Sequence, residues 1–139
     1  MKFTVLDKKK AKEYKPKGLA VLIGITDLGG EFPAYQGDYI DILTLQFDDI
    51  EHEMNIRYGV YKLFDEEQAG EILGFASLYE KDEIVVHCEM GVSRSAAVAA
   101  ALCHLMGQDS KEFFIPPYDP NQHVYNTMLE VASDLDIAW

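Results

Sequence analysis

Two short apolar segments constrain the fold of this chain more than any other feature. Residues 18–25 (GLAVLIGI) form a continuous apolar run, and residues 84–87 (IVVH) form a second one that ends in a histidine. Runs of this length are too short to cross a bilayer and are typical of strands that are buried on both faces. Because such strands occur in parallel sheets covered by helices, the pattern predicts an α/β fold.

A third strand is predicted over residues 39–47, where the charged Asp41 indicates that one face is wetter. Predicted helices alternate with these strands, and an alternation of this kind favours right-handed crossovers between parallel strands. We therefore expect one domain over residues 1–139. Its central sheet is expected to have four to five mainly parallel strands, with helices flanking both faces.

Capping residues indicate where the helices begin and end. Asp65 followed by Gln68 is a capping box and predicts a helix to about residue 79. The Ala-rich stretch 95–106 predicts a second helix, and Asp119 before Pro120 predicts the start of the last one. A weaker helix is expected over residues 8–14, where three consecutive lysines are expected to form a solvated face.

Charge narrows the possible partners. The formal net charge is −12 over 139 residues, which argues against nucleic acids and anionic membranes because both reward Lys and Arg contacts to phosphate. Any positive potential that attracts an anion must then be local. The N-terminus has no apolar stretch after its charged residues, so a secretory signal is not indicated and the cytoplasm is the expected compartment.

The cysteine count excludes two further classes. Cys88 and Cys103 are the two cysteines, too few for a disulfide framework. No CxxC pair or second Cys/His cluster is present, so we expect no metal site. Cys103 lies among Ala and Leu in a predicted helix and is interpreted as a core residue.

The segment between the 84–87 strand and the 95–106 helix has the residues for anion chemistry. A tight strand-to-helix turn can direct backbone N–H groups to one point, and the helix N-terminus adds the positive end of its dipole. Gly91 supplies the backbone angles that such a loop requires. Arg94 can bind two phosphate oxygens with its planar guanidinium, which Lys cannot do. The loop between Cys88 and Arg94, namely Glu89, Met90, Gly91, Val92 and Ser93, is expected to contact phosphate.

Cys88 is the candidate nucleophile of this loop. A helix N-terminus and a nearby cation stabilise the thiolate form of a cysteine, so no dedicated base is required. Ser95 is expected to donate a hydrogen bond to the thiolate and to stabilise it as a leaving group. His87 is expected to fix the loop through hydrogen bonds without binding phosphate.

Residues 87–95 (HCEMGVSRS) resemble the signature loop of the protein tyrosine phosphatase superfamily, His-Cys, five residues, Arg-Ser/Thr. The serine before Arg94 is most similar to the dual-specificity branch. The resemblance implies the cysteine-phosphatase fold, a sheet with helices on both faces. It also implies hydrolysis of phosphate monoesters through a phosphocysteine at Cys88, with no cofactor.

The resemblance extends to a candidate general acid. Residues 47–49 (FDD) follow a strand and resemble the acid loop of small family members, in which the second acidic residue acts. Asp49 is therefore the first choice, Asp48 the second and Asp65 the third. Asp49 precedes Cys88 by 39 residues, a longer gap than in compact family members, and the extra length is assigned to residues 50–64. The role of that segment stays open.

Pro120 and Asn121 resemble the Pro-Asn pair that opens the corresponding helix of dual-specificity enzymes, and Asn121 is expected to support the site. The expected partners are a phosphorylated protein or a small aryl phosphate, and a phosphate or sulfate ion is expected to bind in the loop. The loop interior has no Lys and contains Glu89, which disfavours inositol phosphates and RNA triphosphate ends. Phosphotyrosine and phosphoserine/threonine both remain open.

Three alternatives to this enzyme are considered. A non-catalytic phosphopeptide-binding module would keep the loop and lack a working acid. A rhodanese-like sulfurtransferase also has a cysteine in an anion-binding loop, but that loop is typically shorter and lacks the Arg-Ser ending. Arsenate reduction would require resolving cysteines, and Cys103 is the only other cysteine.

Overall fold

The computed structural model describes residues 1–53, 60–79, 83–137 and 139. Within these ranges the chain forms one α/β domain with four strands. The strands are β1 (Phe3–Leu6), β2 (Ala20–Thr26), β3 (Ile42–Gln46) and β4 (Glu83–His87). The helices are α1 (Lys8–Glu13), α2 (Glu66–Ser77), α3 (Arg94–Leu105) and α4 (Gln122–Asp134), and a 3₁₀ turn covers Lys111–Phe114.

All three strand pairings are parallel, and the order across the sheet is β1-β4-β2-β3. The central strands are the two apolar runs of the sequence: every residue of β2 is buried, and in β4 all except the first. The prediction of a mainly parallel sheet of four to five strands is confirmed. Strand β1 was not predicted, because four residues beside a lysine run are too short to show a period.

One face of the sheet contains the main core. Val21, Ile23 and Ile25 of β2 and Ile84 and Val86 of β4 share this face with the buried residues of α2, α3 and α4. Helix α3 is buried from Arg94 to Cys103, and its small alanine side chains allow it to pack closely against its neighbours. Gly107 follows this helix with φ +76°, the left-handed conformation common after a helix C-terminus.

The other face is covered by α1 and by the connection between β2 and β3. Tyr35 in that connection packs edge-on against His87, with ring centroids 5.5 Å apart. A Cβ atom at Gly24 would lie 2.6 Å from the Tyr35 hydroxyl, so glycine is required for this close approach. The connection is joined to α1 by the Gln36 amide, which donates to the Lys12 carbonyl at 2.9 Å.

The predicted N-cap residue is found at the start of α2 but not at the start of α4. Asp65 is the N-cap of α2 and accepts from the Gln68 amide at 2.8 Å, as predicted. The prediction that Asp119 caps the last helix is wrong: Asn121 caps α4 and accepts from the Val124 amide at 3.0 Å. The Asp119 amide donates instead to the carbonyl of Val92 at 2.9 Å, which ties this segment to the turn after β4.

No helix within the described residues has the length and apolar character needed to cross a membrane.

Candidate active site

The signature loop, residues 88–94, connects the carboxyl end of β4 to the first turn of α3. Its carbonyl groups point outward to neighbouring segments: those of Glu89, Val92 and Ser93 accept from the amides of Lys8, Asp119 and Asn121 at 3.2, 2.9 and 3.1 Å. Among the hydrogen bonds of the described residues, none uses the amides of residues 89, 90 or 92–94 as donors. Five amides of the loop thus have no acceptor among the described residues, which is the arrangement of an anion-binding nest.

Gly91 is required by the geometry of this loop. Its φ is +68°, and a Cβ atom there would lie 2.7 Å from the Asp7 amide nitrogen and from the Leu6 carbonyl carbon. Both the backbone angle and the contact with the end of β1 exclude a side chain. The β1–α1 junction therefore packs directly beneath the loop.

Cys88 lies at the base of the loop and is 2% exposed. Its Sγ is 3.1 Å from the Ser95 hydroxyl and accepts a hydrogen bond from the Gly91 amide at 3.3 Å. Both contacts supply donors to a thiolate, and Ser95 itself is buried. Cys103, in contrast, donates to the Asp109 carbonyl, and burial raises the pKa of its thiol.

Arg94 is 4% exposed, and two hydrogen bonds from one nitrogen of its guanidinium fix the side chain. Its Nη1 donates to Asp27 Oδ1 at 2.7 Å and to the Phe47 carbonyl at 2.8 Å. Its Nε is buried and has no hydrogen-bond partner within the described parts of the chain. A buried guanidinium N–H without a partner is costly, and the Nε side of the guanidinium is suited to two oxygens of an anion.

Asp27 was not among the residues singled out from the sequence. A usable signal existed, because Asp27 follows β2 directly and β2 neighbours β4. The carboxyl ends of adjacent parallel strands meet at one edge of the sheet, where ligands bind in such folds. A carboxylate after β2 is therefore close to the loop after β4.

The two acidic candidates after β3 are placed differently. Asp49 Oδ1 accepts from the Ser93 hydroxyl at 2.8 Å and from Asn121 Nδ2 at 2.9 Å, so its carboxylate lies at the rim of the signature loop. Asp48 Oδ2 accepts from the Lys62 amide at 2.6 Å. This bond joins the two ends of the connection between β3 and α2. Asp65 caps α2 and pairs with Lys62 at 2.6 Å.

His87 is fully buried behind the loop. Its Nδ1 is 3.3 Å from the Cys88 carbonyl and its Nε2 is 2.7 Å from the Tyr35 hydroxyl. Because a carbonyl can only accept, Nδ1 bears the proton and Nε2 accepts from Tyr35. Burial lowers the pKa of His87 below its usual 6.5, although the Cys88 carbonyl acts in the opposite direction. The loop is thereby attached to the second face of the sheet.

These groups surround a cavity of about 340 Å³, hereafter the anion pocket. Its lining brings together the predicted site residues Asp49, Cys88, Met90, Val92, Ser93 and Arg94 and adds Asp119. Glu89 points away toward α1, with its carboxylate 3.9 Å from Lys8 Nζ. No group of three or more His, Cys, Asp or Glu side chains could hold a metal ion in the parts of the chain that the structure describes. The long segment 50–64 is described only at its ends, because residues 54–59 lie outside the described ranges.

The fold and the anion pocket define a class, the single-domain α/β proteins with an anion-binding loop after a central parallel strand, and solved structures with a similar fold can be compared with it. Human DUSP28 superposes with a TM-score of 0.61 at 16% identity over 96% of this chain and 93% of its own. A human tyrosine phosphatase-like serine/threonine/tyrosine-interacting protein gives 0.59 at 21% identity, over 97% and 93%. A mouse protein described as a dual specificity phosphatase and solved with zinc tungstate gives 0.53 at 18%, over 86% and 72%.

No family model and no curated protein matches the sequence. At the identities of these structural neighbours the likeness shows the fold, which is that of the dual-specificity phosphatases. The fold that the signature loop implied is thus confirmed.

Proposed function

We propose that this protein is a cysteine-dependent phosphatase that hydrolyses phosphate monoesters through a phosphocysteine at Cys88. The observation that carries the proposal is the arrangement of Cys88 and Arg94 in the anion pocket. There the Cys88 sulfur meets two hydrogen-bond donors, and the buried Nε of Arg94 has no partner within the described residues. A nucleophile, an anion-binding loop and a cation thus surround one point, as in-line phosphoryl transfer requires.

In the first step the Cys88 thiolate attacks phosphorus, an S–P bond forms and the bond to the ester oxygen breaks. Arg94 and the amides of the loop bind the equatorial oxygens, where charge is redistributed in the transition state. Protonated Asp49 transfers its proton to the departing oxygen. The products of this step are the alcohol or phenol and the phosphocysteine.

In the second step water attacks phosphorus and Asp49, now a carboxylate, accepts a proton from it. The S–P bond breaks, inorganic phosphate leaves and the Cys88 thiolate is restored. Ser95 Oγ at 3.1 Å supports this step, since a hydrogen bond to sulfur stabilises the leaving thiolate. The cycle needs no metal and no external reductant.

Asp49 is preferred to Asp48 as the acid on geometry. Its carboxylate lies at the mouth of the pocket, with Oδ1 fixed by two donors. Asp48 is committed to the Lys62 amide, and Asp65 is committed to its helix cap. Only the first of these three carboxyl groups lines the anion pocket.

Phosphotyrosine or phosphoserine/threonine side chains in proteins are the proposed substrates. The pocket lining contains one cation, Arg94, and two carboxylates, Asp49 and Asp119. Arg94 and the amides of the signature loop can bind one phosphate group, whereas further phosphate groups of a substrate would be repelled by the two carboxylates.

A phosphopeptide-binding module without turnover is the second candidate. One solved neighbour is named as a phosphatase-like, interacting protein, and in this chain Asp49 Oδ1 already accepts two hydrogen bonds. These two bonds occupy Oδ1, so the proton that the first step requires would have to be carried by Oδ2. No comparable observation supports a sulfurtransferase.

The test is hydrolysis of p-nitrophenyl phosphate in EDTA by the wild type, Cys88→Ser and Cys103→Ser. We expect activity in the wild type and in Cys103→Ser, the matched removal of a buried thiol, and none in Cys88→Ser. Turnover by Cys88→Ser would contradict the phosphocysteine mechanism. A wild type that binds phosphopeptides and turns over neither them nor the aryl ester would instead support the binding module.

A further inference from the structure

A second and larger groove adjoins the anion pocket on the side of α1. Its volume is about 520 Å³, and it is formed by α1, by the connection between β2 and β3, and by the start of the signature loop. The lining residues are Asp7, Lys8, Lys9, Lys12, Glu31, Phe32, Pro33, Glu89 and Met90. Met90 is 73% exposed and lines both cavities, so a chain leaving the anion pocket over this side chain enters the groove.

The groove lining contains three lysines and three carboxylates, Asp7, Glu31 and Glu89, so its formal charges balance. Asp7 is used as the N-cap of α1, and Glu89 pairs with Lys8 at 3.9 Å. Lys9 and Lys12 are exposed and form no salt bridge to a carboxylate of the described residues. They are three residues apart and therefore share one face of the helix.

A different set of charged groups lines the anion pocket. Asp49 and Asp119 border it, and no lysine lines it. In a protein with net charge −12, Lys9 and Lys12 are the groove lysines that form no salt bridge with the described residues, so a carboxylate of the substrate can pair with them. Among the described residues that line the two cavities, lysines occur only on the α1 side.

We propose that Lys9 and Lys12 bind a carboxylate side chain that flanks the phosphorylated residue in the same substrate peptide. The inference rests on the proposed function of the anion pocket and adds a specificity site to it. The acidic residue is recognised on one side of the phosphorylated residue only, the side whose chain crosses Met90. Phe32 and Pro33 form the apolar wall against which the aliphatic part of that side chain packs.

The experiment measures binding, so that it does not depend on turnover. Fluorescent phosphopeptides with an otherwise neutral flank are made in phosphotyrosine and phosphothreonine series. A single Glu is placed in turn at each of the three positions on either side, and the matched peptides have Gln there. Dissociation constants are measured by anisotropy on Cys88→Ser, alone and combined with Lys9→Gln/Lys12→Gln.

Exposed charge pairs are weak, so we expect Glu to tighten binding about fivefold over Gln at the best position on one side. The preference is expected to vanish in Lys9→Gln/Lys12→Gln and to shrink as ionic strength rises. The control is Lys10→Gln/Lys17→Gln, which removes the same charge from two exposed lysines outside the groove.

Three outcomes would overturn the inference: no Glu position that tightens binding, equal tightening on both sides, or equal loss in the control pair. Hydrolysis of p-nitrophenyl phosphate by the Lys9→Gln/Lys12→Gln variant with Cys88 intact separates the two proposals. This small ester reaches only the anion pocket, so we expect unchanged turnover. Absence of turnover in the wild type would contradict the proposed enzyme and leave the binding result to decide the groove.

Discussion

Asp48 and Asp49 are adjacent in the chain, yet their carboxylates face different parts of the protein. The Asp48 side chain accepts from the Lys62 amide, and its own amide donates to the Lys62 carbonyl at 2.8 Å, so this residue organises a loop. Asp49 is exposed at the rim of the anion pocket. The two residues lie at a bend, where the Ile50 amide donates to the Asp48 carbonyl at 3.0 Å, and their carboxylates contact different segments. This difference is the reason for proposing Asp49, and not Asp48, as the group that acts on substrate.

Replacing Asp49 with Asn is expected to slow hydrolysis in a manner that depends on the leaving group. Alkyl phosphates need a proton on the departing oxygen, so their kcat/KM should fall by about 100-fold or more. Aryl phosphates with acidic phenols should lose much less. The measurement is kcat/KM for a series of phosphate esters of graded leaving-group pKa.

Asp48→Asn is the matched control for that series, since an asparagine oxygen can still accept from the Lys62 amide. It should remain close to wild type for every ester. Equal slowing of alkyl and aryl esters in Asp49→Asn would refute the general-acid role. A larger leaving-group effect in Asp48→Asn would move the assignment to Asp48.

At the scale of elements, the start of α4 is joined by hydrogen bonds to Asp49, the proposed general acid. Asn121 uses its side-chain oxygen as the helix cap, and its Nδ2 donates to Asp49 Oδ1 and to the Ile50 carbonyl at 2.9 and 3.0 Å. Its amide also donates to the Ser93 carbonyl in the signature loop. One residue thus joins a helix, the acid and the loop.

Two substitutions at Asn121 separate these roles. Asn121→Ala removes both the cap and the amide donor, and should cost about 1 kcal/mol of unfolding free energy. Asn121→Asp keeps a good cap and replaces the donor to Asp49 with a second carboxylate. We expect kcat/KM to fall about tenfold or more in both variants, because a misplaced catalytic group is costly.

The measurements are urea unfolding and steady-state kinetics of both variants. Asp65→Ala, which removes the cap of α2 away from the anion pocket, is the stability control and should lower the unfolding free energy without a comparable loss of kcat/KM. An Asn121→Asp variant with wild-type kinetics would show that α4 does not position the acid.

At the scale of the whole molecule, the buried side chain of His87 links the signature loop to the connection between β2 and β3. His87 is 0% exposed, with Tyr35 donating to one ring nitrogen and the Cys88 carbonyl accepting from the other. Protonation would put a second proton where Tyr35 donates and would create a buried charge. Burial therefore holds the pKa of His87 below 6.5 in the folded protein.

The pH dependence of stability follows from this direction. As pH falls below about 6.5, the unfolded chain binds a proton at this histidine before the folded protein does, so the unfolding free energy decreases. His87 contributes at most about 1.4 kcal/mol per pH unit to the slope of the unfolding free energy against pH. Above that range the contribution is fully present.

Urea unfolding of the wild type and His87→Gln across this pH range checks the expectation. The variant should have a shallower dependence of unfolding free energy on pH, whatever its absolute stability. His104→Gln, a substitution at an exposed position of α3, controls for the change of residue type. A His87→Gln slope equal to that of the wild type would refute the buried neutral histidine.

Local sequence determined the elements and the loop. The apolar runs of β2 and β4 specify central strands because each run is buried on both faces. Asp65 specifies the start of α2 because its side chain accepts from an amide only three residues further on, that of Gln68. The segment from Cys88 to Ser95 is contiguous, so its chemistry could be inferred without knowing the fold. The same locality explains the error at Asp119, where a tertiary hydrogen bond to Val92 moved the helix cap to Asn121.

Tertiary structure alone decided which distant residues meet the loop. Asp27 reaches Arg94 across 67 positions and Asn121 reaches Asp49 across 72, and no local pattern encodes such pairs. Parallel strands bring their carboxyl ends to one edge of the sheet whatever their separation in the chain. The groove beside α1 also depends on tertiary structure. The sequence predicts only that the lysine-rich helix is solvated. Because β1 lies beside β4, this helix is placed next to the signature loop and forms one wall of the groove.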